Sequence, residues 1–581
     1  MPDFSPTPAA PATTATPTAD PEAPHGGLLM ARAMREAGVE TVFSLCGGHI
    51  VPLLDGCRGA GIRVVDHRHE GAAALAAEGW ALATGRAGVA AVTAGPGFAN
   101  AVIGLVDAGV WSLPLVLVAG RTGLAMSGRG AVQDVDQRAI AAPVAKHAIT
   151  CLETARLPRV VADALYQARA GRPGPVYLEV PQDVLSARAA PPDPEIADGY
   201  PATIPSPAGA PEDIEAALEI LERAERPIVL AGGGVFWSGA GDDLARLAQV
   251  ARMPVTTTSA ARGTVPDSHP WCLGTLVHAG AALASADVVL VLGSAFNANV
   301  SFGTAPLFAP GQTVIQVDIH PERIGGNRRP DLALVGDVRR VVADLADAWR
   351  RSPPGRDAWL AEARDLTAFM VSTWDRQIDE HRGPRVHAGA AVRETVAFVR
   401  EAVGKRVTFV ADGGDALTWG LAYMYAEAPG RLLSTTTALG TLGVGLPFAL
   451  GAAAARPDEP VVVFAGDGAF GLSAMELDTA VRHGLQVVCV VSNNCGWRDV
   501  SHEQDAWFGP GRRVASELAD TRYDLLAAAL GGHGEQVDTL DELRPALGRA
   551  LGSGGPAVVN VRTDPEVLSD LLRNVGSMGL M

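Results

Sequence analysis

The chain has 581 residues, which is too long for a single hydrophobic core and favours about three domains of ordinary size. Hydrophobic residues make up 48% of the chain and charged residues 19%, as in compact globular proteins rather than disordered ones. The net charge of −17 argues against a nucleic-acid or anionic-membrane partner, because both require a basic surface.

The N-terminal residues 1–24 are rich in proline, alanine and threonine and carry neither the basic nor the apolar region of a signal peptide. We predict a disordered tail there. No apolar run reaches the roughly 18 residues that a membrane-spanning helix needs. The six cysteines show no CxxC spacing, which favours scattered reduced thiols. A cytoplasmic protein is therefore expected.

Residues 25–186 alternate helical segments with short apolar strands such as TVFSLC, GVAAVTAGPG and LPLVLVAG. This alternation predicts a doubly wound parallel sheet. A linker rich in proline follows at 187–212, and a second α/β unit is predicted for 213–352. Its turn Gly232-Gly233-Gly234 follows a strand and is compatible with an adenine-nucleotide phosphate, although a plain strand-to-helix turn is at least as probable.

A second linker, which includes a helix, is predicted for 353–387, and a third α/β unit for 388–570. In that unit the buried strand VVVFA leads into Gly466-Asp467-Gly468, and a predicted helix, SAMELDTAVRHG, follows. The next strand, LQVVCVVS, ends at Asn493-Asn494. Asp467 and Asn494 are therefore expected at the carboxyl ends of two parallel strands, where open α/β sheets bind ligands.

Hard oxygen ligands at this edge suit Mg²⁺, and the backbone carbonyl of Gly496 is a third candidate ligand beside Asp467 and Asn494. The glycine turn offers backbone N–H groups to an anion at a helix N-terminus. A metal-bridged diphosphate is the ligand that this pattern implies.

The GDG turn, the intervening helix and strand, and the NN pair together resemble the signature of the thiamine diphosphate enzymes. Residues 25–570 resemble the group that contains acetolactate synthase, benzaldehyde lyase and 2-hydroxyacyl-CoA lyase. This resemblance implies three α/β domains, which bind the aminopyrimidine, form a Rossmann-like middle unit, and bind the diphosphate with Mg²⁺. It also implies a homodimer or homotetramer with active sites between subunits, and leaves open FAD or ADP in the middle domain.

The resemblance assigns Glu70, before a run of small residues, to the cofactor's ring nitrogen, although a plain helix N-terminal glutamate would also fit. Gly440 matches the carbonyl that accepts from the 4′-amino group, and Leu442 matches the apolar prop of the bent cofactor, or else a core leucine. The remaining expected cofactor contacts are in the diphosphate loops: Gly413, Gly414, Asp415, Ala416, Gly466, Gly468, Ala469 and Phe470.

On the substrate side, the motif GGHI and the pair Gln133 and Gln137 resemble benzaldehyde lyase and 2-hydroxyacyl-CoA lyase. The resemblance implies that His49 relays a proton, that Gln133 orients a carbonyl oxygen, and that Gly48 lies beside the substrate. A solvent-exposed turn histidine is the alternative. Trp497 and Asp499 are expected at the substrate-facing end of the metal loop, and residues 571–581 resemble a C-terminal lid or tail.

The leading hypothesis is a thiamine diphosphate-dependent carbon–carbon lyase or carboligase. It would cleave a 2-hydroxyacyl-CoA to formyl-CoA and an aldehyde or ketone, or cleave an acyloin as benzaldehyde lyase does, and run the reverse condensation. The alternative is acetolactate synthase-type condensation of 2-keto acids. A third hypothesis, a non-catalytic paralogue, is disfavoured because Glu70, Asp467 and Asn494 are all present.

Overall fold

The computed structural model describes residues 23–189, 200, 203–351, 354–435 and 438–569. Most of the predicted N-terminal tail and the predicted C-terminal lid at 571–581 lie outside these residues. The described chain forms three six-stranded sheets, and neighbouring strands within each sheet are parallel. Helices cover the sheets, so the predicted architecture of three α/β domains is confirmed.

The N-terminal domain has the strand order β2-β1-β3-β4-β6-β5. Its strands are β1 Thr41–Ser44, β2 Arg63–Asp66, β3 Gly88–Val92, β4 Leu115–Arg121, β5 His147–Thr150 and β6 Val176–Pro181. Its helices are α1 Gly26–Glu36, α2 Val51–Gly59, α3 Glu70–Thr84, α4 Pro96–Trp111, α5 Gln137–Ala141, α6 Leu157–Arg169 and α7 Gln182–Ser186.

The middle domain has the order β12-β11-β10-β7-β8-β9, which is that of dinucleotide-binding folds. Its strands are β7 Pro227–Ala231, β8 Val255–Thr257, β9 Cys272–Thr275, β10 Val288–Leu292, β11 Thr313–Asp318 and β12 Leu332–Val335. Its helices are α8 Pro211–Arg223, α9 Gly233–Ser238, α10 Gly241–Ala251, α11 Leu276–Ser285 and α12 Val338–Ala348; the long helix α13, Arg356–Asp379, occupies most of the second linker.

The C-terminal domain repeats the arrangement of the first, with the order β14-β13-β15-β16-β18-β17. Its strands are β13 Thr408–Asp412, β14 Leu432–Ser434, β15 Val461–Gly466, β16 Val487–Asn493, β17 His533–Val537 and β18 Ala557–Arg562. Its helices are α14 Ala388–Val403, α15 Asp415–Tyr423, α16 Gly445–Ala455, α17 Asp467–Ser473, α18 Glu476–His483, α19 Arg498–Phe508, α20 Tyr523–Ala529 and α21 Leu540–Gly552.

The predicted helix SAMELDTAVRHG begins later than expected. The chain after Gly466 forms the short helix α17 and, from Glu476, a separate helix α18. Met475, which lies inside the predicted helix, precedes α18 and is 48% exposed in the single chain. The prediction was wrong here because periodicity cannot register a break between two short helices on the same side of a sheet.

The N- and C-terminal domains pack through α3 and α16, whose backbones approach closely at glycines. A Cβ at Gly451 would lie 2.0 Å from the Ala76 carbonyl oxygen, and one at Gly79 would lie 2.4 Å from the Cα of Phe448. Both positions therefore require glycine. The crossing fixes the position of the loops that flank both helices.

In all three sheets the strand order reverses between two adjacent strands, and ligand crevices form outside such points. These pairs are β1 with β3, β7 with β10, and β13 with β15. In the described part of the chain, no helix has the length and hydrophobicity that a membrane span needs.

Candidate active site

A cavity of 620 Å³ opens at the carboxyl ends of β13, β15 and β16. The loop after β13 forms one wall, and its Gly413 has a φ of 110°, a conformation that L side chains rarely adopt. The turn at Gly440 (φ 71°) forms another wall, with open space where a Cβ would lie. The predicted cofactor residues on these two walls are Gly413, Gly414, Asp415, Ala416, Gly440 and Leu442.

The Gly466-Asp467-Gly468 turn and Ala469 also line the cavity. Gly468 is needed because a Cβ there would lie 2.7 Å from the Trp497 ring. Phe470, predicted as a cofactor contact, is the exception. It does not line the cavity, and its ring is buried against Tyr523 with centroids 5.3 Å apart.

Three oxygen atoms converge at the metal site that the sequence predicts. The amide oxygen of Asn494 lies 3.0 Å from the Gly496 carbonyl oxygen and 3.2 Å from Asp467 Oδ1. Acceptors repel at such distances unless the amide is reversed or a cation lies between them. Neighbouring ligands of an octahedral Mg²⁺ with bonds of about 2.1 Å lie about 2.9 Å apart, so the spacing fits this ion.

The cavity carries three buried or half-buried carboxyl groups, and Arg498 lies beside one of them, Asp467. Burial raises the pKa of Asp467 to about 6. Burial also raises the pKa of Asp415 to about 6, and the charge of Asp499 adds to this effect. It likewise raises the pKa of Asp499 to about 6, where the charge of Glu503 adds to the effect. A divalent cation at Asp467 would favour the ionised form and remove this cost.

The carboxylate of Asp415 is engaged inside the protein rather than with a cavity ligand. It accepts hydrogen bonds from the backbone N–H of Ser569 (2.8 Å) and the indole N–H of Trp419 (2.9 Å). The carboxyl group of Asp499 points toward the loop after β13. A Cβ at Gly414 in that loop would lie 2.7 Å from Asp499 Oδ2. Asp499 is therefore the acidic side chain placed to contact a ligand beside this loop.

Two polar residues of this cavity were not predicted from the sequence. Arg498 donates from Nε and Nη2 to the carbonyls of Asn494 and Cys495, both at 2.9 Å, and so fixes the shape of the metal loop. Thr435 Oγ1 lines the cavity, is buried, and has no hydrogen-bond partner in the described part of the chain. It is a polar atom available to a cofactor, and no local pattern marked it.

His49, in the loop after β1, and Gln133, in the loop between β4 and α5, lie together in the N-terminal domain. His49, which follows Gly48 in one turn of 3₁₀ helix, is hydrogen-bonded to Gln133 and, through Nδ1, to Thr93 Oγ1 at 3.2 Å. Burial lowers the pKa of His49 below 6.5. His49 is therefore not the solvated turn histidine that was the alternative.

Gln133 adopts a backbone φ of 63°. It also packs closely on Gly95, where a Cβ would lie 2.8 Å from the Gln133 Cβ. Such a backbone conformation is unusual for a non-glycine residue and occurs frequently at functional sites. Gln137, the second glutamine of the pattern, is buried and supports this turn by accepting from the Gly95 N–H at 2.7 Å. The side chain of Gln137 therefore has a structural role within the fold, whereas Gln133 remains the candidate substrate contact.

Glu70 begins α3 and is nearly buried, with 8% of its surface exposed. Asn100 donates to its Oε2 at 3.0 Å. A Cβ at Gly97 would lie 3.4 Å from Glu70 Oε1 and would also contact the side chain of Thr93. Gly97 thus adjoins both Glu70 and Thr93, the hydrogen-bond partner of His49, and neither Thr93 nor Asn100 was identified from the sequence.

The chain does not bring its two groups of site residues together. The group at Glu70, His49 and Gln133 does not line the 620 Å³ cavity; that cavity is closed instead by middle-domain residues such as Thr275 and Leu307. Each group lies at the switch point of its own sheet. A site that used both would need a second chain.

A second cavity, of 810 Å³, lies at the switch point of the middle domain. Gly233, Gly234 and Gly293 line it, and the backbones meet so closely that a Cβ at Gly234 would lie 2.7 Å from the Gly293 Cα. Four arginines line it as well: Arg169, Arg172, Arg323 and Arg339. Thr258, Ser259 and Asn299 line both cavities, which are therefore neighbours.

Comparison with known proteins identifies the family. Residues 24–140, 214–345 and 412–561 match, in turn, the N-terminal thiamine pyrophosphate (TPP)-binding domain, the central domain and the C-terminal TPP-binding domain of the thiamine pyrophosphate enzymes. A probable acetolactate synthase of Mycobacterium bovis is 37% identical over 95% of this chain and 98% of its own length. The chain belongs to the thiamine pyrophosphate enzyme family.

Two further relatives of this thiamine pyrophosphate enzyme carry a different name. A 2-hydroxyacyl-CoA lyase of Oryza sativa is 33% identical over 95% of this chain and 98% of its own. The human 2-hydroxyacyl-CoA lyase 2 is 32% identical over 93% and 90%. The family recognised from GDG and NN is confirmed, and both named activities bear on the proposal below.

Proposed function

We propose that this thiamine pyrophosphate enzyme is a Mg²⁺-dependent carbon–carbon lyase and carboligase. It would cleave a 2-hydroxyacyl-CoA to formyl-CoA and an aldehyde or ketone, or cleave an acyloin, and run the reverse condensation. The observation that carries this proposal is the pair of His49 and Gln133, with Thr93 bonded to His49 and with both Thr93 and Glu70 adjoining Gly97.

The cofactor would lie in the 620 Å³ cavity. Asp467, Asn494 and Gly496 would hold Mg²⁺ and the diphosphate, and Gly440 and Leu442 would contact the rings. When bound, thiamine pyrophosphate supplies a nucleophilic carbon for attack on a carbonyl group. The converging oxygens and the unpartnered Thr435 hydroxyl support this placement.

The side chains of the N-terminal domain would handle the protons. Glu70, held by Asn100, would hydrogen-bond the pyrimidine nitrogen and keep the cofactor in its reactive form. Neutral His49 would accept or return the proton of the substrate hydroxyl, since its lowered pKa keeps the ring neutral at pH 7. Gln133 would orient the substrate carbonyl oxygen, and Gly48 would leave room beside it.

Acetolactate synthase-type condensation of 2-keto acids is the second candidate. The 37% identity with a probable acetolactate synthase favours it. The 810 Å³ cavity at the Rossmann-like switch point is also large enough for FAD or ADP. Its arginines provide charge for phosphates, so the same cavity would suit the nucleotide part of a CoA thioester.

Arg328 is not available to bind CoA phosphates. Its guanidinium donates to the carbonyls of Gly303 (2.8 Å) and Gln312 (3.0 Å) and is used within the fold. We further propose a cytoplasmic homodimer or homotetramer, in which the Glu70 group of one chain completes the cavity of another.

A side-by-side product assay tests the function. The purified chain, with thiamine pyrophosphate and Mg²⁺, is offered a 2-hydroxyacyl-CoA, benzoin and pyruvate. Formyl-CoA or benzaldehyde is the expected product, and acetolactate alone would overturn the lyase proposal in favour of the synthase. A yellow protein with a flavin spectrum would identify the middle-domain ligand as FAD.

The variant Glu70→Gln is expected to lower kcat by at least about 10²-fold, because an amide cannot exchange a proton with the ring nitrogen. Glu36→Gln, on the exposed end of α1, is the control and keeps full turnover. Unchanged turnover in Glu70→Gln would refute the assigned role.

A further inference from the structure

Two carboxyl groups face each other where the N-terminal domain packs on the C-terminal domain. Glu78 lies on α3 and Asp107 on α4, and both have no exposed surface. A Cβ at Gly104, one turn before Asp107 on α4, would lie 3.2 Å from Glu78 Oε1, and the two carboxyl groups lie within hydrogen-bonding reach of each other. Asp107 Oδ1 also accepts a hydrogen bond of 2.5 Å from the hydroxyl of Thr441 in the C-terminal domain.

This contact requires a proton between the two acids. No N–H or hydroxyl group in the described part of the chain donates to either oxygen of Glu78 or to Asp107 Oδ2. Ionised carboxylates only accept hydrogen bonds, so two of them cannot bond to each other. The hydrogen bond from Thr441 favours the ionised form of Asp107, so Glu78, which has no other donor among the described residues, is the member that carries the proton and donates it.

The surroundings favour the same arrangement. Burial, together with Asp107, raises the pKa of Glu78 well above its ordinary value of 4.5, and burial raises the pKa of Asp107. The segments β1, β3, β14 and α16, which pack on α3, contain no ionisable side chain, and α4 contributes only Asp107. Arg121, at the end of β4, is paired with Glu179.

Thr441 connects this pair to the cofactor cavity. It lies between Gly440 and Leu442, which both line the cavity. The turn is rich in glycine, with φ values of 71° at Gly440 and 78° at Gly443, so its backbone has little intrinsic preference for one conformation. A side-chain bond to the rigid α4 helix restricts it.

We propose that Glu78 and Asp107 form a carboxyl pair sharing one proton that, through Thr441, positions the 440–442 turn for thiamine pyrophosphate. This inference rests on the proposed contact of Gly440 and Leu442 with the cofactor rings. It does not depend on whether the reaction is that of a lyase or of a synthase. The pair acts on the cofactor only through the turn and is a positioning pair.

Cofactor affinity of the full chain provides the test. Tryptophan fluorescence, which includes that of Trp497 in the cavity, measures binding of thiamine pyrophosphate with Mg²⁺. Thr441→Val keeps the side-chain volume but removes the donor to a charged acceptor, and we expect affinity to fall about tenfold or more. Thr441→Ser keeps the hydroxyl and should restore affinity to within about twofold. Thermal unfolding confirms that both variants fold.

The proton is tested with Glu78→Gln, in which an amide N–H replaces the carboxyl O–H. Affinity should remain within about threefold of wild type, because Asp107 keeps a donor. At about pH 8, where carboxyl groups with a pKa of about 6 are ionised, the difference spectrum of wild type minus this variant should show the infrared band of a buried protonated carboxyl group. A difference spectrum without that band would overturn the assignment of the proton to Glu78.

The outcomes separate this inference from the proposed function. Wild-type binding with equal affinity in Thr441→Val would overturn the positioning role and leave the cofactor site intact. A wild-type chain that binds no thiamine pyrophosphate would overturn the cofactor placement and the inference together.

Discussion

Three features determine the chemistry of His49: burial, the hydrogen bond of its Nδ1 with Thr93, and the hydrogen bond with Gln133. The ring also lines a separate cavity of 370 Å³ beside Val132 and Gln182. A histidine held by one nitrogen can use the other toward a substrate. The residue is thus poised as a proton acceptor near neutral pH.

The pH dependence follows from the sign of the shift. Because burial lowers the pKa of His49 below 6.5, the ring remains neutral at pH 7 and becomes protonated only in more acidic solution. We expect kcat/KM for carbon–carbon cleavage to fall below pH 6.5 and to be flat from there to neutrality. His49→Gln should lower the rate by about 10²-fold or more and abolish this acid limb. His147→Gln, at an exposed site, serves as the control. If the fall of kcat/KM at acid pH persists in His49→Gln, another titrating side chain causes it.

At the scale of secondary-structure elements, the packing of α3 on α16 supports both groups of site residues. Glu70 begins α3, and the turn at Gly440 leads into α16. The glycines at the crossing let the two backbones touch, so the helix positions depend on the absence of side chains there. A small displacement of either helix would reach the site residues at its end.

Substitution of one glycine at this crossing tests that dependence. Gly451→Ala would gain helix propensity, but its Cβ would overlap the carbonyl of Ala76 and the N–H of Trp80 at 2.0 and 2.5 Å. We expect a net loss of about 1–3 kcal/mol in the free energy of unfolding, measured by denaturant titration. Gly552→Ala, at the end of α21 with no atom within 4 Å of its Cβ, should change stability by less than about 1 kcal/mol. Equal stability of the two variants would show that the helices can separate without cost.

At the scale of the whole molecule, the first and third sheets share one strand order, and each places half of the candidate site at its switch point. The half with Asp467 lies in the 620 Å³ cavity, whereas the half with Glu70 lies outside it. An assembly with two-fold symmetry would provide each cavity with the other half.

Mixing two inactive variants tests this arrangement. Glu70→Gln and Asp467→Asn are refolded together in equal amounts. If each site takes Glu70 from one chain and Asp467 from the other, a mixed dimer holds one intact site, and random mixing restores about one quarter of wild-type activity. If one chain supplied both residues, the mixture would be inactive. Each variant refolded alone is the control.

The sequence alone determined the fold class and the cofactor half of the site. Buried strands, helices and glycine turns follow from local patterns. The stretch from Asp467 to Asn494 reads locally as a turn, a helical segment and a strand, although its helical part divides into α17 and α18. Gly413, Asp467 and Gly496, which lie on those loops, line one cavity, and their part in cofactor binding stays a prediction.

Only the tertiary structure determined which side chains support these loops. Asn100 and Thr93 act through hydrogen bonds to partners 30 and 44 positions away in the sequence, and Arg498 donates to carbonyls of its own loop. Phe470 faces the core rather than the cavity. The contact of Thr441 with Asp107 joins residues 334 positions apart. Local propensity sets the elements, but the position of one element against another depends on packing and burial across the whole chain, which no local pattern contains.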